Sequence, residues 1–433
     1  MSLDTEPVPN RRDVLAASGA LATAALAGCL GDASSSGSAP SVNNEQLTEL
    51  VRANTEFALA FHRKLLDNSE EPNVFSSPHS VSVAMAMLFA GARGDTESEM
   101  AKAMRYTLDD DLHPAIEALS ADLDDRADDA DDPGLLDRIR GRDGSFDLSI
   151  ANALWGTREY PYREEYLDTV EEHYGAGLRE VDFADSDGTR EEINGWVAGE
   201  TNDRIEEVLP EGSITANTRL VVTNAIYLLA DWAKQFDPED TSEGEFTALD
   251  DTNSEVSMMR QTAEFPFAAE DGLALVELPY VGEELSMVVI VPDGETVAFD
   301  AFEADLDADR LEELLQGVDT TETEVALPKF EFEFDAHLND TLTALGMERA
   351  FDLGGADFSG MADAELAIAD VFHESYIAVD EAGTEAAAAT AGTMEESAPP
   401  AVIADRPFLF MIRDRSTKAV LFLGRITDMS EIA

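Results

Sequence analysis

The chain has 433 residues, with 91 Asp and Glu against 28 Lys and Arg, a formal net charge of −63 at pH 7 and a hydrophobic fraction of 44%. That apolar content is enough for a buried core, so the acidity does not denote a disordered chain. Nucleic-acid binding and adsorption to anionic membranes are disfavoured, because both need a Lys/Arg surface that this chain lacks.

The acids are spread along the whole chain, and the lysines are only Lys64, Lys102, Lys234, Lys329 and Lys418. Such a surface repels itself at low ionic strength. At about 1 M salt the Debye length falls to about 3 Å and the repulsion is screened. The composition is therefore that expected of a protein adapted to molar salt. Cys29 is the single cysteine, so an intramolecular disulfide is excluded.

Residues 1–28 read as an export segment. Arg11-Arg12 precede an Ala/Leu run too short and too Ala-rich for a permanent membrane span, and the Arg11-Arg12-Asp13-Val14-Leu15 string resembles the twin-arginine motif. Leu26-Ala27-Gly28-Cys29 resembles a lipobox, in which Cys29 becomes a lipid-modified terminus. Residues 29–43, rich in Ser, Gly, Ala, Pro and Asn, suit a flexible tether to a folded part spanning 44–433.

Apolar residues recur at helical spacing from Leu47 to Leu66, which predicts an amphipathic helix over 44–67. Ser76-Ser77-Pro78 opens a second helix with a nearly all-apolar body, Val81 to Ala90. Helices are expected at 95–106 and 111–121, then an acidic loop or frayed helix to Asp143. Asp185-Ser186-Asp187-Gly188 fails as a calcium loop, because Phe183 and Asn194 stand where carboxylates are needed. Leu220 to Leu229 reads as a strand buried on both faces. Strands follow near 264–268, 273–280, 285–292 and 325–334, with a helix over 300–317. Tyr376 to Asp380 is strand-like, and Phe408–Arg413 and Ala419–Arg425 form two closing strands around a polar turn. No linker divides 45–433, which points to one large mixed α and β domain.

Enzyme motifs are absent: there is no nucleophile elbow, zinc-protease helix, phosphate loop or dinucleotide fingerprint. His79 and His373 lie in elements that read as buried, so they are expected to be structural rather than catalytic. No cofactor or metal is expected. The segment Glu381-Ala382-Gly383-Thr384-Glu385-Ala386-Ala387-Ala388-Ala389-Thr390 is built of small or short side chains. It suits an exposed loop, a strand slotted into a tight sheet, an Ala-rich helix or a plain linker. As a strand, Thr384, Ala386, Ala388 and Thr390 would share one uncharged face.

Taken together, several stretches resemble the serpin family over residues 45–427. They are Asn73–Ser80; Thr218–Trp232 with Phe236-Asp237; Asp380–Thr390; Arg406-Pro407-Phe408; and Leu421–Arg425. The resemblance implies a serpin fold with three β-sheets, about nine helices and an exposed reactive-centre loop. It also implies a monomeric, metastable inhibitor and not an enzyme. A serine or sometimes cysteine protease cleaves the loop, and the loop inserts into the main sheet and traps the acyl-enzyme. On this resemblance Glu381, Gly383, Thr384, Glu385, Ala386, Ala387, Ala388, Ala389 and Thr390 form the hinge. Ser77, Ser80, Asn224 and His373 match a hydrogen-bonded cluster beneath the opening strands. Trp232, Lys329 and Glu381 match the place where insertion starts, with Lys329 and Glu381 as an ion pair. Leu228-Leu229-Ala230-Asp231 departs from the family's usual stretch before the tryptophan. Family spacing puts the reactive bond at Ser397–Ala398, with Glu396 and Met394 as alternatives. A subtilisin-like, elastase-like or Glu-cleaving target fits those residues better than a trypsin-like one. A non-inhibitory serpin acting as a binding or chaperone-like surface protein is the alternative. The leader implies an extracellular location on a lipid anchor.

Overall fold

The computed structural model describes residues 42–131, 146–158, 160–175, 177–382 and 399–432. The leader, with Arg11, Arg12 and Cys29, lies outside the described residues, as do the hinge from Gly383 to Thr390 and the candidate bond residues Met394, Glu396, Ser397 and Ala398.

Nine α-helices occur among the described residues: α1 Asn44–Asn68, α2 Pro78–Phe89, α3 Gly94–Met104, α4 Leu112–Asp131, α5 Glu164–Tyr174, α6 Ser186–Glu200, α7 Phe299–Asp305, α8 Ala308–Gln316 and α9 Asn339–Ala344. The first strands are β1 Val74–Ser76, β2 Phe146–Thr157, β3 Arg179–Val181, β4 Leu220–Ala230, β5 Ser242–Thr247, β6 Asn253–Glu270 and β7 Leu273–Pro279. They are followed by β8 Leu285–Pro292, β9 Asp319–Pro328, β10 Phe330–His337, β11 Asp370–Val379, β12 Ala401–Ile403, β13 Phe408–Asp414 and β14 Val420–Ile426.

Local chemistry explains several boundaries. Asn43 closes a capping box with Gln46 ahead of α1. Ser77 caps α2, with Pro78 in its first turn. The Asp185–Gly188 string that failed as a calcium loop is a helix start, since the Asp185 side chain accepts from the Gly188 N–H. The single helix expected over 300–317 is two, because Asp307 caps a new helix at Ala308. Likewise the strand expected at 325–334 is broken at Lys329, between β9 and β10. Those two strands belong to different sheets. The acidic segment after residue 121 continues α4 to Asp131.

A five-stranded sheet runs β10-β11-β4-β2-β3. A nine-stranded sheet runs β1-β14-β13-β8-β7-β6-β9-β12, with β5 also on β6. Where three sheets are expected, the strands of the described residues form two hydrogen-bonded sheets, for a geometric reason. β6 is long enough to pair β9 through Met258–Phe267 and β7 through Phe267–Glu270, so two halves merge along one strand.

β4 is buried on both sides, as its unbroken apolar run predicts. Val221 and Ala225 pack with Ile193 and Val197 of α6. Leu220, Val222, Ile226 and Leu228 join the main core with α1, α2 and the nine-stranded sheet. β11 lies parallel to β4, pairing Asp370–Ile377 with Val221–Leu228. These two strands are adjacent in the sheet although far apart in the chain.

A buried ionic cluster fixes the end of β7 that leads into Tyr280. Glu277, 3% exposed, accepts from Arg413 Nη2 at 2.9 Å, Arg415 Nε at 3.1 Å and Ser286 Oγ at 2.7 Å. Burial alone would raise its carboxyl pKa; the two arginines and Ser286 outweigh it and hold the group below the ordinary 4.5. Removing this carboxylate would leave Arg413 buried without a counter-charge. Glu277→Ala is therefore expected to cost about 3–5 kcal/mol, read by urea unfolding at constant salt. A loss below about 1 kcal/mol would mean that water replaces the carboxylate.

Candidate functional site

The site is the junction between β4 and β11. Cross-strand register places Asn152 of β2 opposite Asn224 of β4, and Asn224 opposite His373 of β11. Even-numbered β2 and β4 residues and odd-numbered β11 residues face the main core, so the three side chains form a row beneath the sheet. Helix α2 meets that row with its first turn. Ser80 Oγ donates to Asn152 Oδ1 at 2.9 Å, and Asn224 Nδ2 donates to Ser80 Oγ at 2.6 Å. Asn224 also donates to Asn152, and its Oδ1 bonds His373 Nδ1. Ser77 Oγ donates to the Leu421 carbonyl at 2.7 Å and receives the Ser80 N–H, while the Ser77 N–H reaches His373 Nε2 at 3.4 Å. Ser77, Ser80, Asn224 and His373 thus come together. Asn152 completes the cluster and was not singled out from sequence. Its signal is register, which only strand pairing supplies.

The His373 network has a protonation preference. Asn224 Oδ1 accepts from Nδ1, and Nε2 accepts from a backbone N–H, which is the bonding of a neutral ring. Burial pushes its pKa down to about 3, with the Asn224 contact opposing. His79 is buried nearby without a partner on Nδ1, and burial lowers it to about 4. Among the described residues His373 bonds a backbone N–H and the Asn224 side chain and no hydroxyl, which is the geometry of a structural link.

At the upper end of the two strands a second cluster clamps the chain that leaves β11. Trp232, 2% exposed, donates its backbone N–H to the Ala382 carbonyl and its indole N–H to the Asp380 carbonyl, both at 2.9 Å. The Phe236 N–H bonds the Glu381 carbonyl at 2.8 Å. Lys329 Nζ lies 2.6 Å from Glu381 Oε2, and Thr241 Oγ1 donates to Glu381 Oε1 at 2.8 Å. Burial opposes the Glu381 charge, but Lys329, the residue's own backbone and Thr241 prevail and hold its pKa below 4.5. The Trp232 ring stacks on Tyr280 at 4.7 Å with a 9° interplanar angle. Lys329 occupies the one-residue gap between β9 and β10, which is why it can reach from one sheet to the other. Thr241 and Tyr280 were not anticipated from sequence. The departing Asp231 is buried, and its carbonyl accepts from the Val281 N–H.

The arrangement is a closed seam. Separating β4 from β11 by one strand would place them at twice the roughly 4.8 Å spacing. The Asn224–His373 bond could not survive that.

As the pH falls, a histidine held neutral to about pH 3 in the fold, against 6.5 in the unfolded chain, lets the unfolded state take up protons first. Stability is therefore lost between those values. His373→Gln is expected to be less stable at neutral pH by about 1–3 kcal/mol yet to lose less on acidification. Urea titrations at neutral and mildly acidic pH test this. Equal losses in both proteins would remove His373 from the seam's pH response.

Comparison with known proteins places residues 52–429 within the model described as Serpin (serine protease inhibitor). An uncharacterized serpin-like protein of Thermococcus kodakarensis is 40% identical over 389 residues, covering 88% of this chain and 85% of its own. The human leukocyte elastase inhibitor is 36% identical over 398 residues, covering 88% of this chain and all of its own. Among solved structures, uncleaved ovalbumin superposes with a TM-score of 0.77 at 29% identity, over 88% of this chain and 99% of the other.

Proposed function

The chain belongs to the serpin family, and from that premise we propose that it inhibits a serine-class endopeptidase as a suicide substrate. The protease cuts the loop beyond Ala382, forms an acyl-enzyme, and is carried away as the loop inserts between β4 and β11. The observation that supports this most is the seam itself. β4 and β11 pair directly and in parallel, and the chain leaving β11 is clamped where an inserting strand would begin. In the residues next in sequence, the alternate positions Thr384, Ala386, Ala388 and Thr390 are small and uncharged, as entry into a closed sheet requires.

The reactive bond of this reading is Ser397–Ala398, with Glu396 and Met394 as alternatives. The human relative is named for leukocyte elastase, and a Ser–Ala bond suits a protease with a small specificity pocket, elastase-like or subtilisin-like. Incubation with subtilisin in molar salt is expected to give a covalent complex that survives denaturing electrophoresis. Thr384→Arg is expected to abolish that complex while the loop is still cut, because a charged side chain would face the sheet interior. Cleavage without a complex in the unmodified chain would instead support a non-inhibitory serpin that acts as a binding or chaperone-like surface protein. Peptide turnover without added protease would refute both.

The same reading puts the protein outside the cell, tethered through lipid-modified Cys29 after export by the Arg11-Arg12 signal, with a surface suited to molar salt. Support comes from the leader's residues and the net charge of −63. Cys29→Ser is expected to shift the protein from the membrane fraction to the medium, measured by fractionation and immunoblotting. Unchanged retention would discard the anchor.

A further inference from the structure

On the α6 side of the five-stranded sheet, opposite the Asn224–His373 row, lies a cavity of about 620 Å³. Its floor is β11 and β10, and its wall is the chain that follows α6. Glu374 of β11 stands in it, 9% exposed, directly across the ladder from Asp335 of β10. Asp203, Glu206, Glu207 and Glu333 line the rest. Like charges facing each other across strands repel, and a buried carboxylate normally meets a cation or a donor. Glu277 and Glu303 do so, through Arg413 and Arg425. No hydrogen bond or ion pair among the described residues reaches the Glu374 carboxylate.

The cavity's own cations are committed elsewhere. Arg204 lies over the Tyr376 ring at 5.8 Å, and His337 Nε2 is 2.8 Å from Asp370 Oδ1. Glu207 is held by Arg190 at 2.9 Å. Among the described residues no group of carboxylates and histidines is close enough to hold one metal ion. The carboxylates are therefore spread around a space much larger than an ion. Between them lie apolar surfaces from Val208, Pro210, Ala336 and Phe372.

We propose that this cavity binds a linear aliphatic polyamine, one ammonium group on Glu374, its methylenes against Phe372 and Val208, and a second ammonium on the rim carboxylates. The alternation of buried acid, apolar wall and acidic rim matches the alternation of ammonium and methylene in such a ligand. A single metal ion would leave the apolar wall unused. A bound polyamine would bridge β11 to the chain after α6, on the outer face of the seam.

Glu374 also gives the binding a proton signature. Burial first, then Glu333, Asp335 and Glu207, raise its pKa to about 7. Near neutrality the free site is partly protonated, so an arriving ammonium displaces a proton. Affinity falls as the pH drops through 7, and rises above it until the amines lose their charge. Asp203, Glu206, Arg204 and His337 face the same space and modulate the field.

Isothermal titration of the full-length protein with spermidine, at the salt that keeps it folded, tests the proposal. One saturable site is expected, with proton release near pH 7 measured from two buffers of different ionisation enthalpy. Glu374→Gln combined with Asp335→Asn is expected to weaken binding by at least about tenfold and to abolish the proton release. Glu49→Gln with Glu70→Gln, two exposed acids elsewhere, is expected to change neither. Any of three results would overturn the proposal: no binding in a folded protein, many equivalent weak sites, or equal losses in both double variants. Melting curves of the variants without ligand establish that each is folded.

Discussion

The pairing of β4 with β11 is the constraint on which the rest depends. A parallel pair cannot be closed by a tight turn, so its two strands arrive by separate routes and are held by what surrounds them. Beneath the sheet the holder is a row of neutral polar side chains, Asn152, Asn224 and His373, tied to the first turn of α2 through Ser80 and Ser77. At the top it is Trp232, stacked on Tyr280 and bonded to the chain leaving β11. Neutral hydrogen bonds suit such a seam. Each contributes modestly, about 0.5–1.5 kcal/mol net, yet costs more if left unmade. The closed arrangement is thus specified without being sealed permanently.

Charge is handled by a different rule. The chain carries far more acids than cations, and several of those cations meet a desolvated acid. Arg413 and Arg415 meet Glu277, Arg425 meets Glu303 together with His62, and Lys329 meets Glu381. Others pair with exposed acids, as Arg52 does with Asp309 and Arg163 with Asp363. Glu374 is the departure from this pattern, buried and faced by other acids on the outer side of the seam. The two faces of β11 therefore differ in kind: one carries the neutral links that hold the sheet shut, the other a carboxyl group faced by other acids.

Much of this was legible along the chain. The helical spacing from Leu47 to Leu66, the Ser77-Pro78 helix start and the apolar run of β4 each encode their element locally. The serpin resemblance brought Ser77, Ser80, Asn224, His373, Trp232, Lys329 and Glu381 into view together. What escaped was set by pairing. Asn152 looks like any strand asparagine until register puts it beside Asn224. Thr241 and Tyr280 act on the seam from segments with no motif of their own. The region 325–334 alternates as one strand, and nothing local states that Lys329 marks a change of sheet. Asp307 ends one helix and starts another because its side chain caps the next N–H groups, a competition that periodicity does not register.

The charge of −63, the absence of enzyme motifs, the small uncharged side chains alternating from Thr384 to Thr390 and the order of the family's stretches are properties of the sequence alone. They follow from composition and local spacing, which the chain carries before it folds. The sheet partners are a tertiary decision. Whether Glu374 meets a cation or Asp335, and whether Asn152 reaches Asn224, depends on which strand lies alongside. That choice is made by burying β4 between α6 and the main core, through contacts between residues far apart in the chain.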